Sequence, residues 1–300
     1  MLDCIIIGGG PAGLNAALML GRAKRKVMLF DDNQPRNQVT QQSHGFITQD
    51  GIKPQVFRDL AHKDIAQYPS VTLQNRLVQT VSTVDHTTYT IITDKGQAYN
   101  SKKIILATGL KESLPEIEGI DHFYGKSLFS CPYCDGWELR DQPLVLISED
   151  KDAAHLAKII FQWSQDLVVC TNGKSILTPT EEQSLRQNGI EINKKAITQL
   201  EGTNGKIMTL VFEDQSILTR VGGFVTTSHR QANTFASSLG CQFNQDGGIV
   251  VDNLGRTNVL GVYAAGDAST VNPAKLIIAA GNGVRAAMGV NSDLAVSLFN

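Results

Sequence analysis

Cys131-Pro132-Tyr133-Cys134 is followed directly by Asp135 in the stretch SLFSCPYCDGWEL. Two thiols at this spacing suit three chemistries: half of a metal clip, a structural staple, or a redox pair that exchanges with another sulfur. A zinc clip needs two more ligands, yet the sequence has no second CxxC and no paired His motif; His122 and His155 stand alone. No metal is expected on that count. Exchange needs an attacking thiolate, a second thiol to resolve the mixed disulfide and a proton acceptor, and Asp135 is the nearest candidate for the last role.

A second group of residues opens the chain, where the apolar run Cys4 to Ile7 leads into Gly8-Gly9-Gly10-Pro11-Ala12-Gly13. This is a GxGxxG between a strand and a helix expected from about Ala12 to Lys24. Gly8 permits the tight turn, Gly10 lets backbone approach a pyrophosphate, and Gly13 lets the helix pack on the strand. The acid that such a site directs at a ribose hydroxyl stands at the end of the next strand, as Asp31 or Asp32. Far downstream, the apolar strand Val262 to Ala265 ends in Gly266-Asp267 ahead of a helix from about Ala274, a layout in which the carboxylate can hold a polyol hydroxyl. The run ILATGL ends in a similar small-residue turn at Ala107-Thr108-Gly109.

The elements that must position these residues alternate along the chain as strands and helices, which predicts an α/β protein. Val27 to Phe30 and Lys103 to Ala107 are continuous apolar runs of strand length, as expected where both sheet faces are covered. Residues 71–100, rich in Val, Thr and Tyr with a turn at Asp94-Lys95-Gly96, predict an antiparallel hairpin layer. A new strand, Leu144 to Ile147, and an amphipathic helix from about Asp152 to Trp163 begin a second unit, with further strands near Leu167 to Cys170, Lys206 to Phe212 and Gly223 to Thr226. The remainder from about Cys241 completes the first unit. With 300 residues, 42% of them hydrophobic, there is material for two cores. A formal net charge of −2 gives no basic stripe for nucleic acid and no polybasic membrane anchor. No apolar stretch is long enough for a bilayer, and the first residues show no charged leader or cleavage site. With five cysteines, an odd number, the expected compartment is the reducing cytoplasm. Cys4, Cys170 and Cys241, in apolar or strand-like contexts, are expected to be inert core thiols.

GGGPAG, ATG, CPYCDG and AAGDAS occur in this order over nearly the full chain, and in this the sequence resembles the low-molecular-weight thioredoxin reductases. The resemblance implies two Rossmann-like three-layer domains: a discontinuous FAD-binding domain, residues 1–113 and 242–300, holding an inserted NADPH-binding-like domain, residues 114–241, that carries the CxxC. It implies a homodimer. It assigns FAD contacts to Gly8, Gly10, Pro11, Ala12, Gly13, Asp31 or Asp32, Ala107, Thr108, Gly109, Gly266 and Asp267. Cys131 and Cys134 become the redox disulfide, with Cys134 toward the flavin, Cys131 toward the substrate and Asp135 shuttling protons. The flanking flavin motifs thus favour the redox pair over clip or staple. A thioredoxin-like protein or a small dithiol or disulfide is the implied partner.

Departures from the family concentrate after the CxxC. Where a second glycine-rich phosphate loop is due, the sequence reads LVLISEDKDAAHLAKII, with Ser148, Glu149, Asp150 and Asp152 in place of glycines. A carboxylate about 4 Å from a phosphate costs on the order of 1 to 4 kcal/mol, depending on solvation. The following VVCTNGKS lacks the arginine cluster for a 2′-phosphate, leaving Lys174 as the nearby cation. Weak or absent NADPH binding is expected. The family's Arg-Gln-Ala near the flavin aligns with Ala274-Lys275-Leu276, so that Lys275 either stabilises reduced flavin or is a solvated helix residue. The segment DDNQPRNQVTQQSHGF and the CPYC form resemble FAD-dependent dithiol oxidases of the gliotoxin and holomycin type. On that resemblance Arg36 and Asn37 are FAD contacts or loop residues, and His44 is a base near the disulfide or incidental. The function expected is an FAD-dependent thiol-disulfide oxidoreductase; the alternatives are an oxygen-using dithiol oxidase or a degenerate flavoprotein serving as a redox switch.

Overall fold

The computed structural model describes residues 1–83 and 87–299. Residues 84–86, inside the hairpin layer expected over 71–100, lie outside the described residues. The chain forms two compact units, one from Met1–Gln38, Gly45–Lys111 and the segment from His229 onward, the other from Val39–His44 and Glu112–Ser228.

In the first unit the strand β1 (Leu2–Ile7) leads through the glycine loop into the helix α1 (Pro11–Arg22), then β2 (Val27–Asp31), the helix α2 (Pro54–Ile65), and strands β3 (Val71–Asn75), β4 (Val78–Thr83), β5 (Tyr89–Thr93) and β6 (Ala98–Leu106). Among the described residues these make a sheet in the order β3-β2-β1-β6-β5-β4, and the late strand Val262–Ala264 joins it beside β6. β1 is parallel to both β2 and β6, with Ile7 opposite Phe30 on one side and Leu106 on the other, while Ala264 lies opposite Leu106. Because the register is shared, the loops after β1, β2, β6 and Val262–Ala264 all leave from one edge of the sheet. That edge carries Gly8, Asp31, Ala107 and Gly266.

Alternation along β1 fills two cores. Cys4 and Ile6 face α1 and the long helix Leu276–Val296, packing with Leu14, Leu20 and Val290. Ile5 and Ile7 face the other layer, with Tyr89, Ile91 and Val81 of the antiparallel hairpin. Each fully buried leucine or isoleucine contributes about 1.5–3 kcal/mol. Phe235, Ala236 and Cys241 also belong to this second core, so the chain returns to the first unit at His229 and not at the 242 expected from the sequence.

The second unit holds a parallel sheet ordered Glu191–Asn193, Leu167–Cys170, Leu144–Ile147, Gly222–Val225, Leu128–Phe129. Leu144 to Ile147 are fully buried, which explains their uninterrupted apolar run. The helix expected over Asp152 to Trp163 is shorter, Ala153–Ile160, and is followed by a turn. A separate antiparallel sheet comprises Ile197–Thr203, Lys206–Phe212 and Ile217–Thr219. Val39–His44 was expected to belong with the flavin half; it packs here instead, where a Cβ on Gly125 would lie 2.5 Å from the Val39 carbonyl oxygen. No described helix is long and apolar enough to cross a membrane.

Candidate active site and cofactor cradle

The glycine loop of the first unit is dictated by contacts with backbone. Gly8 has φ +110°, and a Cβ there would lie 2.2 Å from the Ala107 carbonyl oxygen. A Cβ on Gly13 would lie 1.9 Å from the Gly8 carbonyl oxygen, so α1 can approach the loop this closely only with glycine. Gly10 differs from both. Nothing lies within 4 Å of its Cβ position, and it is the N-cap of α1 with Pro11 as the first helical residue. The open space faces a helix start whose first amides have no intrahelical acceptor, a cradle that fits a pyrophosphate.

Asp31, the last residue of β2, lies against the glycine loop, and Asp32 follows it. A Cβ on Gly9 would lie 2.5 Å from the Asp31 carboxylate, and Asp31 is ion-paired with Arg58 of α2. Asp32 is exposed, and its Oδ1 accepts the Gln34 N–H at 3.2 Å, an interaction typical of turns.

Asp267 lies in the short turn Gly266–Ala268. A Cβ on Gly266, whose φ is +70°, would come 2.8 Å from the Ala12 Cβ, so this turn seats against the start of α1. Arg36 donates to Asp267 from Nη2 at 2.8 Å. Half-buried Asn37 follows Arg36 in the one-turn segment Arg36–Val39. Ala107 is buried, while Thr108 leads to Gly109, which has φ +64° and open space at its Cβ position. Lys275 is the residue immediately before the helix Leu276–Val296. Two contributors went unnoticed in the sequence: Gly283, where a Cβ would lie 2.0 Å from the Ala12 carbonyl oxygen, and the buried Arg58.

In the second unit Cys131 and Cys134 form a disulfide with a Cα–Cα distance of 5.3 Å. Cys131 is the N-cap of the short helix Pro132–Asp135, and the Cys134 amide donates to its carbonyl at 3.0 Å. Gly136 closes this turn, because a Cβ there would lie 2.5 Å from the Pro132 oxygen and 2.7 Å from the Trp163 ring. Tyr133 packs edge-on against that same ring at 5.6 Å. The CPYCDG motif is thus anchored on Trp163 while Tyr133 and Trp137 remain exposed. Behind it, the Tyr124 hydroxyl bonds Glu112 Oε2 at 2.7 Å and Ser130 Oγ at 3.1 Å. His44 Nε2 lies 3.6 Å from Glu138 Oε1, and Glu138 is a partner the sequence did not reveal. Burial pushes the Cys4, Cys170 and Cys241 thiols up, Cys170 to about 12, which leaves them un-ionised and poor nucleophiles.

The loop after Leu144–Ile147 is closed on itself. Ser148 is fully buried, its hydroxyl accepting from the Asp150 amide at 3.1 Å and from the Thr226 hydroxyl at 3.1 Å. Asp150 Oδ1 accepts the Asp152 amide at 2.9 Å, and Glu149 accepts from Asn172 at 2.6 Å. Lys174 is exposed.

Residues 2–283 match the pyridine nucleotide-disulphide oxidoreductase family. The chain belongs to that family. TrxB of Bacillus anthracis, assigned as a thioredoxin reductase, has a crystal structure that covers 99% of each chain with a TM-score of 0.96 and 42% identity. The thioredoxin reductase aclD of Aspergillus oryzae is 30% identical over 98% of this chain and 97% of that protein. A protein of Arthroderma benhamiae assigned to the same activity is 34% identical over 66% of this chain, a match that spans only 53% of its own length. The family and these relatives make the chain a flavin disulfide oxidoreductase of the thioredoxin reductase type, and the open cradle at Gly10 suits that flavin.

Proposed function

We propose that the chain passes an electron pair between a partner's thiols and FAD through Cys131 and Cys134, with NADPH bound weakly or not at all. The observation that carries the second half is the Ser148–Asp152 loop. Its Asp150 and Asp152 amides, which a pyrophosphate would need, are taken by a serine hydroxyl and a carboxylate, and the flanking acids repel phosphate.

In the thiol-oxidising direction a partner thiolate attacks Cys131 Sγ, and the Cys131–Cys134 bond breaks. Cys134 leaves with the electron pair, and Asp135 moves its proton. The partner's second thiolate then attacks the partner sulfur of the mixed disulfide, releasing Cys131 as thiolate and the partner as disulfide. Bound FAD supplies the two-electron exchange with the reduced pair. Gly8, Gly10, Pro11, Ala12 and Gly13 would hold its pyrophosphate, Asp31 its adenosine ribose and Asp267 its polyol chain, with Ala107, Thr108, Gly109, Gly266, Arg36, Asn37 and Lys275 completing the site. The reverse sequence reduces a disulfide. Partners of this chemistry are a thioredoxin-like protein or a small dithiol, met by a cytoplasmic homodimer.

With NADPH excluded, oxygen would be the electron acceptor in the thiol-oxidising direction, and a reduced carrier protein would be the donor in the disulfide-reducing one. The test is anaerobic mixing of the yellow protein with NADPH and then with a small dithiol, followed by flavin absorbance. Bleaching by dithiol alone, recovered in air, is the outcome expected for a dithiol oxidase; prompt bleaching by NADPH overturns the loop reading, and indifference to both favours a redox switch.

A further inference from the structure

Arg58 is a charged side chain in the core of the first unit, 5% exposed, on the buried face of α2 with Ile65. Its Nη2 donates to Asp31 Oδ2, whereas Nε and Nη1 are shielded from solvent and have no hydrogen-bond partner among the described residues. A buried guanidinium with one acceptor is a poor way to stabilise a fold, since an apolar side chain of similar volume avoids the desolvation and the unmade bonds. What the arrangement does fix is Asp31. The arginine holds one carboxylate oxygen, and the Gly9 backbone lies close against the same carboxylate.

We infer that Arg58 is a positioning residue that orients the Asp31 carboxylate before the cofactor arrives, and so sets a preference for a dinucleotide bearing an intact adenosine ribose. The inference rests on the flavin reading above. A carboxylate accepts at both oxygens, and with Arg58 bonded to Oδ2 the orientation of the group is fixed, which aims Oδ1 as an acceptor for a ribose hydroxyl. An acceptor held in place loses no orientational freedom on binding, which is where preorganisation gains affinity. Arg58 itself stays out of ligand reach, because its remaining donors are buried.

The test uses full-length protein stripped of flavin and titrated with FAD and with an FAD analogue lacking the adenosine 2′-hydroxyl, read by flavin fluorescence. Wild type is expected to bind the analogue about tenfold or more weakly than FAD, the worth of one hydrogen bond to a charged acceptor. Arg58→Met is expected to bind FAD about tenfold to a hundredfold more weakly and to lose the discrimination, whereas Arg58→Lys keeps part of it. Equal losses for both ligands, or unchanged discrimination in either variant, overturn the inference. Should Arg58→Met fail to fold by circular dichroism, Arg58→Lys carries the comparison alone. Wild type that takes up neither flavin sinks the flavin reading; wild type that takes up both equally sinks only the role of Arg58.

Discussion

Arg36 and Asp267, 231 residues apart in the chain, meet with Nη2 2.8 Å from Oδ2, so the loop after β2 is tied to the turn that follows the last strand of the sheet. Their side chains are 25% and 22% exposed, sheltered enough for the pair to contribute roughly 1 kcal/mol. If Asp267 receives the flavin's polyol, freeing its carboxylate from Arg36 loosens that acceptor. Arg36→Gln is expected to weaken FAD binding about fivefold, measured by fluorescence titration of the stripped protein. An unchanged dissociation constant would make Arg36 a surface charge.

The proposed division of labour within the disulfide predicts opposite outcomes for two serine variants. With Cys134→Ser a partner thiol caught on Cys131 has no resolving neighbour, so a mixed disulfide persists and is visible as added mass under non-reducing conditions. With Cys131→Ser the outer sulfur is gone, and little adduct is expected. Equal trapping by both variants would reverse or erase the assigned roles.

Removing the carboxylates that close the second unit's loop should improve nicotinamide binding. In Glu149→Ala/Asp150→Gly the Asp152 amide loses its internal acceptor and two negative charges leave the phosphate path. At about 1 kcal/mol or more for each of the two charges, NADPH-driven bleaching at limiting NADPH should quicken roughly thirtyfold or more. A stopped-flow rate equal to wild type would show that the loop's acids are not what excludes the cofactor.

The glycine loop was legible because its residues answer to local geometry: Gly8 and Gly13 meet backbone, and the strand and helix around them carry their own periodic patterns. Asp267 was equally legible as a carboxylate at a strand end. What stayed hidden depends on contacts between distant segments. Nothing near Arg58 in sequence marks it as buried, since its partner belongs to another element. Glu138 gains meaning only once Val39–His44 is seen to pack with the second unit. The return point at His229 was missed because Phe235 to Cys241 is a short, weakly patterned stretch whose apolar residues fill a core built mostly by earlier strands. That Asp31 and not Asp32 meets Arg58 follows from side-chain direction at the end of β2, which composition does not encode.

Thiol reactivity should separate the two disulfide cysteines from the other three. Burial raises the Cys4, Cys170 and Cys241 thiols well above neutrality, and the remaining two are tied in the disulfide. Native oxidised protein treated with an alkylating agent at pH 8 should therefore take up no label. After mild reduction, label should appear at Cys131 and Cys134 alone by peptide mass mapping. Label on Cys170 without denaturant would contradict its burial.

The anchor of the C-terminal helix should make the protein acid-sensitive in a defined sense. Asp293 accepts two hydrogen bonds from Arg256, at 2.8 and 2.7 Å, and another from the Tyr263 hydroxyl. The Arg256 bonds, outweighing partial burial, hold its carboxyl below the usual carboxylate range. A carboxyl depressed in the folded state adds stability that is fully present above its unfolded value near pH 4 and is lost as pH falls through the lower folded value. Thermal unfolding followed between pH 7 and pH 3 should show wild type losing midpoint temperature below about pH 4. Asp293→Asn should start lower at pH 7 and fall less steeply in acid, because the titrating group is gone. Parallel curves for the two proteins would mean that the Arg256–Asp293–Tyr263 cluster does not govern acid stability.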